Sequence, residues 1–279
     1  MGLKNVLVLL EANAASEERL RLAIELAQNH QACLSAAFLR KRPLAARSLH
    51  FGEVRNWLSR RPNVLCNIAG PDGVAVDPLE RRSREVIEAL GGDWYSAEQI
   101  KVSELVAVAQ ASDLIVAGQF APHIETSSWR PEGIVLACGR PVLVIPYIRS
   151  AAPIGRRVLI AWDGSREATR ALNDALPLLG AAEAVLLITI HSRSHHLEHG
   201  HPAIARVVRH LARHGISVQV EQTVGEGPVS EILLSRSADA AVDLIVAGAY
   251  GHSPFRESWF GGTSRELFRS MTLPVLMSH

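Results

Sequence analysis

The sequence predicts an α/β chain built as two tandem copies of one doubly wound unit, each a five-stranded parallel sheet with helices on both faces. Three observations point there. The segment Asp113-Leu-Ile-Val-Ala-Gly118 recurs letter for letter as Asp243-Leu-Ile-Val-Ala-Gly248. Flanking matches keep the same order: Lys4-Asn-Val-Leu-Val-Leu resembles Arg156-Arg-Val-Leu-Ile-Ala, and Pro141-Val-Leu-Val resembles Pro274-Val-Leu-Met. Within each copy, short apolar runs alternate with helical periodicity, a pattern that implies parallel strands joined by right-handed crossovers. The junction falls in the stretch Arg149 to Gly155, so residues 1–150 form one domain and 151–279 the other.

In the first copy, Val6–Leu10 reads as a buried strand, Glu17–Asn29 as a helix and Ala32–Leu39 as a second strand. Pro78–Leu90 is the next helix, a short strand lies near Trp94, and Val102–Gln110 is helical. Leu114–Gly118 and Val142–Ile145 are the last two strands. Val6 and Asp113 are 107 residues apart, against 85 for Val158 and Asp243, and the 22 extra residues fit between Arg40 and Asp77. That stretch reads as an irregular loop with one short helix over Glu53–Leu58.

In the second copy, Val158–Trp162 is a continuous apolar strand. Asp163-Gly-Ser opens a helix with Ala168, Ala171, Leu172, Ala175 and Leu179 on one stripe. Ala184–Ile190 is a strand, and His201–His214 a helix with Ile204, Val207, Val208 and Leu211 inward. Ser217–Val220 alternates as a strand leading to Thr223. Pro228–Ser237 is a helix with proline at its start, where a missing N–H costs little. Asp243–Gly248 and Pro274–Met277 are strands, with a helix from Ser264 to Arg269 between them.

Composition narrows the function. Of 279 residues, 48% are hydrophobic and 20% charged, which excludes a disordered chain. With 29 basic and 28 acidic residues the net charge is +1, so no global field recruits nucleic acid or an anionic membrane. Lysine occurs only at Lys4, Lys41 and Lys101, which leaves no P-loop lysine for phosphoryl transfer in the second copy. Cys33, Cys66 and Cys138 are widely spaced, as in buried thiols of a reducing compartment. The apolar run Val6–Leu10 stops at Glu11, too short for a signal core, and no run approaches the roughly 20 residues that span a bilayer. The expected location is the cytoplasm.

The chemistry concentrates after the fourth strand of the second copy, in Gly248-Ala-Tyr-Gly251-His-Ser-Pro-Phe-Arg-Glu-Ser-Trp-Phe-Gly261-Gly262-Thr263-Ser264. Gly248 and Gly251 suit a sharp turn and close approach of a ligand to main chain. Gly261 and Gly262 precede a helix start with Thr263 or Ser264 as candidate N-cap, and a helix N-terminus with free N–H groups favours phosphate. Asp163 reads equally as an N-cap of the helix after the first strand, and Ile190 as an apolar residue at the edge of the core.

These residues resemble the ATP-binding loop of the universal stress protein (UspA) superfamily: glycine, two residues, glycine, nine residues, glycine. Val158-Leu-Ile-Ala-Trp-Asp163-Gly-Ser, Gly225-Glu-Gly-Pro228 and the closing Leu273-Pro-Val-Leu match as well, and the resemblance covers both copies. It implies a Rossmann-like fold of the adenine nucleotide alpha hydrolase type, with strand order 3-2-1-4-5. It places Asp163 against the nucleoside, Ile190 main chain against adenine, and Gly248, Gly251 and Gly261 around ribose and phosphates. The family's next residue is Ser or Thr; here Gly262 stands there, with Thr263 and Ser264 displaced by one and two. The ligand implied is ATP, with or without Mg²⁺, or a related adenine nucleotide. Also implied are pairing of Val142–Ile145 with Val275–Met277 as a pseudo-dimer inside one chain, and a homodimer of chains.

The first copy keeps the frame without the loop. Ala121 replaces the second glycine, Glu125 and Glu132 would oppose a polyphosphate, and Glu11 takes the place of Asp163. No ATP is expected there. Arg81-Arg82-Ser-Arg84 reads as a solvated helix face. His195 and His199 are spaced i, i+4, yet Gly200-His-Pro breaks any helix, so a polar loop is preferred over a metal site. Ser253 lacks the nucleophile-elbow glycine, which leaves no hydrolase signature. The expected role is a nucleotide-responsive stress regulator or protective factor, not an enzyme, with slow ATP hydrolysis at most a side activity. The alternative is a stress protein without nucleotide that acts as an interaction module.

Overall fold

The computed structural model of the chain describes residues 2–39, 77–97, 102–120, 130–147, 153–191, 202–224, 227–250 and 262–279. The short helix expected over Glu53–Leu58 and the loop His195–His201 lie outside the described residues.

Apolar runs at the expected places form ten strands among the described residues: β1 (Asn5–Glu11), β2 (Cys33–Leu39), β3 (Trp94–Ala97), β4 (Leu114–Gly118), β5 (Val142–Ile145), β6 (Arg157–Ala161), β7 (Ala184–His191), β8 (Gln219–Val224), β9 (Leu244–Gly248) and β10 (Val275–Ser278). The helices are α1 (Ala15–His30), α2 (Pro78–Ala89), α3 (Val102–Gln110), α4 (Pro131–Cys138), α5 (Arg166–Leu179), α6 (Pro202–Arg213), α7 (Val229–Asp239) and α8 (Gly262–Ser270). None of these helices is long and apolar enough to cross a membrane.

All ten strands share one sheet, in the order β3-β2-β1-β4-β5-β10-β9-β6-β7-β8. Each half therefore reads 3-2-1-4-5 from its outer edge inward. The repeat extends to register: Val6 pairs with Leu114 as Val158 pairs with Leu244, and Ile115 pairs with Val142 as Ile245 pairs with Val275. The recurring aspartate has a structural cause. Asp243 accepts main-chain N–H bonds from Gly155, Arg156 and Arg157 at 2.7, 3.1 and 3.0 Å, and so fixes the entry to β6. Asp113 does the same for β1 through Lys4 and Asn5, at 2.8 and 3.0 Å.

Within each half the pairings are parallel; the halves meet through antiparallel β5 and β10, as expected for the intrachain pair. Leu143 faces Leu276, while Val144 and Val142 face Val275 and Met277. Because Val142 and Val275 are equivalent, this seam is self-complementary about the Leu143–Leu276 pair. Alternating side chains feed two cores. Leu143 and Leu276 join the side covered by α1, α2, α5 and α6, whereas Val142, Val144, Val275 and Met277 join the side covered by α3, α4, α7 and α8.

Two local readings are corrected. A helix not expected from sequence, α4, lies between β4 and β5. Pro131 at its first turn and Gly139 at its left-handed C-cap (φ 62°) are its signals, but its interior, Ile134-Val-Leu-Ala, is apolar all round and hides the helical period. The third strand of the second half begins at Gln219 rather than Ser217.

Truncating Leu276 to Ala removes a fully buried side chain at the seam and is expected to cost about 2–5 kcal/mol in urea unfolding. In a double-mutant cycle with Leu143→Ala, the two losses should fall short of adding, with a coupling of about 0.5–3 kcal/mol.

Candidate functional site

In the second half the chain leaves β6 for β7 on one side, and returns from β8 to β9 on the other. The crevice beyond the C-terminal ends of β6 and β9 is therefore the switch point, where open α/β sheets hold ligands. β6 ends at Ala161, opposite Ile188. Ile190, penultimate in β7, thus runs two residues past the end of β6, its side chain half-buried and its main chain paired outward with Thr223. Asp163 stands exposed just after β6.

Asp163 is not the helix cap. Its Oδ1 accepts the Ser165 N–H at 2.9 Å, and Ser165 caps α5 by accepting the Ala168 N–H at 3.1 Å. Gly164, at φ 81°, completes the turn that Asp163 closes on Ser165.

Gly248 also has a different reason from the expected one. A Cβ there would stand 2.5 Å from the Ala168 nitrogen and 2.7 Å from the Glu167 carbonyl carbon. The room that a missing side chain leaves is taken by the first turn of α5, so strand–helix packing by itself requires glycine here. Gly251 and Gly261 lie outside the described residues, as do His252 and Arg256.

α8 begins at Gly262, which places Thr263 and Ser264 inside the first turn rather than at the N-cap. Ser264 is buried, and its Oγ accepts the Tyr250 N–H at 3.1 Å. Tyr250 sits in the left-handed region at φ 54°. The Ser264 hydroxyl thus ties the exit from β9 to the start of α8 and keeps its own hydrogen for another acceptor. Among the described residues, a Cβ on Gly262 would meet nothing within 4 Å, so their packing does not demand glycine there. The Tyr250 phenol is pushed up to about 12, first by burial and then by the Glu132 carboxylate of α4, with Arg265 opposing. It is neutral at physiological pH.

The same crevice in the first half is filled from within. Aligning Val6 with Val158 sets Glu11 at the place of Asp163 and Arg19 at Ala171, and the recurring Asp-Leu-Ile-Val-Ala-Gly segment sets Gly118 at Gly248. Arg19 is 3% exposed, and a guanidinium nitrogen donates to the Leu9 carbonyl at 2.6 Å. A Cβ on Gly118 would overlap that guanidinium. Burial lowers Arg19 to about 10, with the Glu11 carboxylate acting the other way, so it stays cationic. Glu11 is itself buried, unlike exposed Asp163. Sequence reading missed Arg19; the signal was an arginine on the stripe that also holds Leu20, Ala23 and Ala27.

Among the described residues no group of three or more His, Cys, Asp or Glu side chains could hold a metal ion.

Comparison with known proteins gives one concordant result. The model of the universal stress protein family matches residues 155–279. A Synechocystis universal stress protein, Slr1230, is 27% identical over 145 residues, which cover 52% of this chain and 49% of that protein. The match thus spans about half of the curated relative. Among solved structures, a universal stress protein from Archaeoglobus fulgidus covers 98% of this chain and 97% of its own, with a TM-score of 0.64 at 19% identity. A functionally unknown protein from Pseudomonas aeruginosa covers 99% and 92%, with a TM-score of 0.56 at 17% identity. At such identities these structures speak for the fold alone.

Two contrasts test the geometry. Gly248→Ala should destabilise by about 1–3 kcal/mol, because its Cβ meets α5 main chain, whereas Gly262→Ala should be neutral or mildly stabilising; thermal unfolding separates them. Arg19→Ala removes a buried guanidinium and leaves the Leu9 carbonyl without its donor, and should cost about 1–3 kcal/mol in chemical unfolding.

Proposed function

We propose that the chain is a universal stress protein, the family whose model matches residues 155–279, and that it binds ATP or a related adenine nucleotide in the crevice of its second half. Family membership supports a stress-response role. The observation that carries the nucleotide reading is a convergence: Asp163, the open end of β7 at Ile190, and the first turn of α8 all gather at the switch point of β6 and β9.

Each part has a chemical use. The Asp163 carboxylate suits hydroxyl donors of a nucleoside. Main chain beyond the end of β6 offers a donor and an acceptor to the edge of a base. The start of α8 supplies free N–H groups and the positive end of the helix dipole to phosphates, with the Thr263 and Ser264 hydroxyls beside them. Gly251 and Gly261 complete the family's loop pattern in the sequence. In this reading residues 1–150 are a degenerate copy and residues 151–279 the binding copy. The protein acts in the cytoplasm as a nucleotide-responsive regulator or protective factor, and slow ATP hydrolysis is a side activity.

One observation favours a second reading. Gly262 lacks the hydroxyl that the family pattern carries at that point, as expected of an interaction module without nucleotide. Because a Cβ at Gly262 meets none of the described residues within 4 Å, Gly262→Ser tests the point without a clash against them.

ATP at 100 times its Kd contributes about 2.7 kcal/mol of stability, and should raise the wild-type melting temperature by several degrees. Gly251→Trp should abolish the shift, and Gly262→Ser should enlarge it. If millimolar ATP moves none of the three, the nucleotide reading falls and the interaction module stands. Product analysis after prolonged incubation with ATP separates a binder from an enzyme.

A further inference from the structure

We infer that Gln119, in the first half, is a positioning residue for the phosphate-facing helix of the second half; this rests on the nucleotide reading above. Gln119 follows β4 and is only 4% exposed. Its Nε2 donates to the Phe268 carbonyl at 2.8 Å and reaches the Arg269 carbonyl at 3.4 Å. Both belong to the last turn of α8, whose carbonyls have no partner within the helix. The other end of the amide is held as well: Oε1 accepts the Tyr147 N–H at 3.3 Å, and the Gln119 main-chain N–H donates to Ile145 at 2.8 Å. The side chain is therefore a fixed strut between the exit of β4, the exit of β5 and the C-terminus of α8.

The strut has no equivalent in the repeat. Register places Ala249 at the position of Gln119, and Ala249 has no side-chain donor to give. The end of α4 is served by a different group, Arg170 of α5, which donates to the Gly139 carbonyl. Each half thus caps the last helix of the other, by unrelated residues. The rest of α8 is held within its own half, by Leu267 and Phe268 in the core and by Glu266, which accepts the Ser230 hydroxyl at 2.9 Å. Those contacts fix its lateral place. Gln119 grips its terminus along the axis, and α8 is short enough for an axial shift at Phe268 to arrive at Thr263 and Ser264 undiminished.

Gln119→Leu keeps the volume and removes both ends of the strut. Titration calorimetry of the full-length chain with ATP and, separately, adenosine, well below the melting temperature, tests the idea. ATP affinity should fall about fivefold, the lower end of ordinary coupling between sites, while adenosine affinity stays unchanged. Gln119→Asn withdraws the amide by one methylene and should show the same selective loss, which keeps the test open should the Leu variant fold poorly. Unchanged ATP affinity in both variants, or an equal loss for ATP and adenosine, overturns the assignment while leaving the nucleotide reading intact. If the wild type binds neither ligand, the nucleotide reading falls and the assignment with it.

Discussion

The antiparallel pairing of β5 with β10 sets the terms for everything else in the molecule. It turns two five-stranded sheets into one of ten, and it does so about the Leu143–Leu276 pair, where equivalent residues face each other. Because the rotation relating the halves is perpendicular to the sheet, equivalent helices stay on the same face: α1 and α5 on one side, α4 and α8 on the other. The same rotation reverses strand direction. The two switch-point crevices therefore open at opposite edges of the sheet, out of reach of one another.

That arrangement leaves each half exposed to the other's helix ends rather than to its crevice. Arg170 meets the end of α4, and Gln119 meets the end of α8. The crevices meanwhile have taken different courses. In the second half an exposed aspartate follows the first strand; in the first a buried guanidinium lies against Gly118 with a carboxylate close by. A buried charge is a poor stabiliser in itself. Its effect here is occlusion, because the arginine fills space that α5 main chain fills beside Gly248.

The frame was legible in the sequence because it rests on patterns that repeat. Continuous apolar runs marked the inner strands of each half, and Asp113 and Asp243 recur because each clamps the entry to the strand beside it. What the sequence concealed depends on contacts between distant segments. Asp163 and Ser165 are both good caps, and only the turn between them decides which one acts. Gly248 looked like a ligand glycine, since nothing local reveals that α5 crosses it at contact distance. Arg19 escaped notice because its burial depends on the space above Gly118. Of the site residues, Asp163 follows β6 and Ile190 lies near the end of β7, while Thr263 and Ser264 fall inside the first turn of α8 instead of at its cap.

Joining the halves through a peptide linkage has a consequence for how such a molecule can change. In a symmetric pair of separate, identical chains, every substitution is written twice, so an arginine that closes one crevice closes both. Here Arg19 appears once, opposite Ala171, and Gln119 once, opposite Ala249. The seam needs only its short apolar strands to survive, which frees one half to lose a ligand and take up the work of bracing the other.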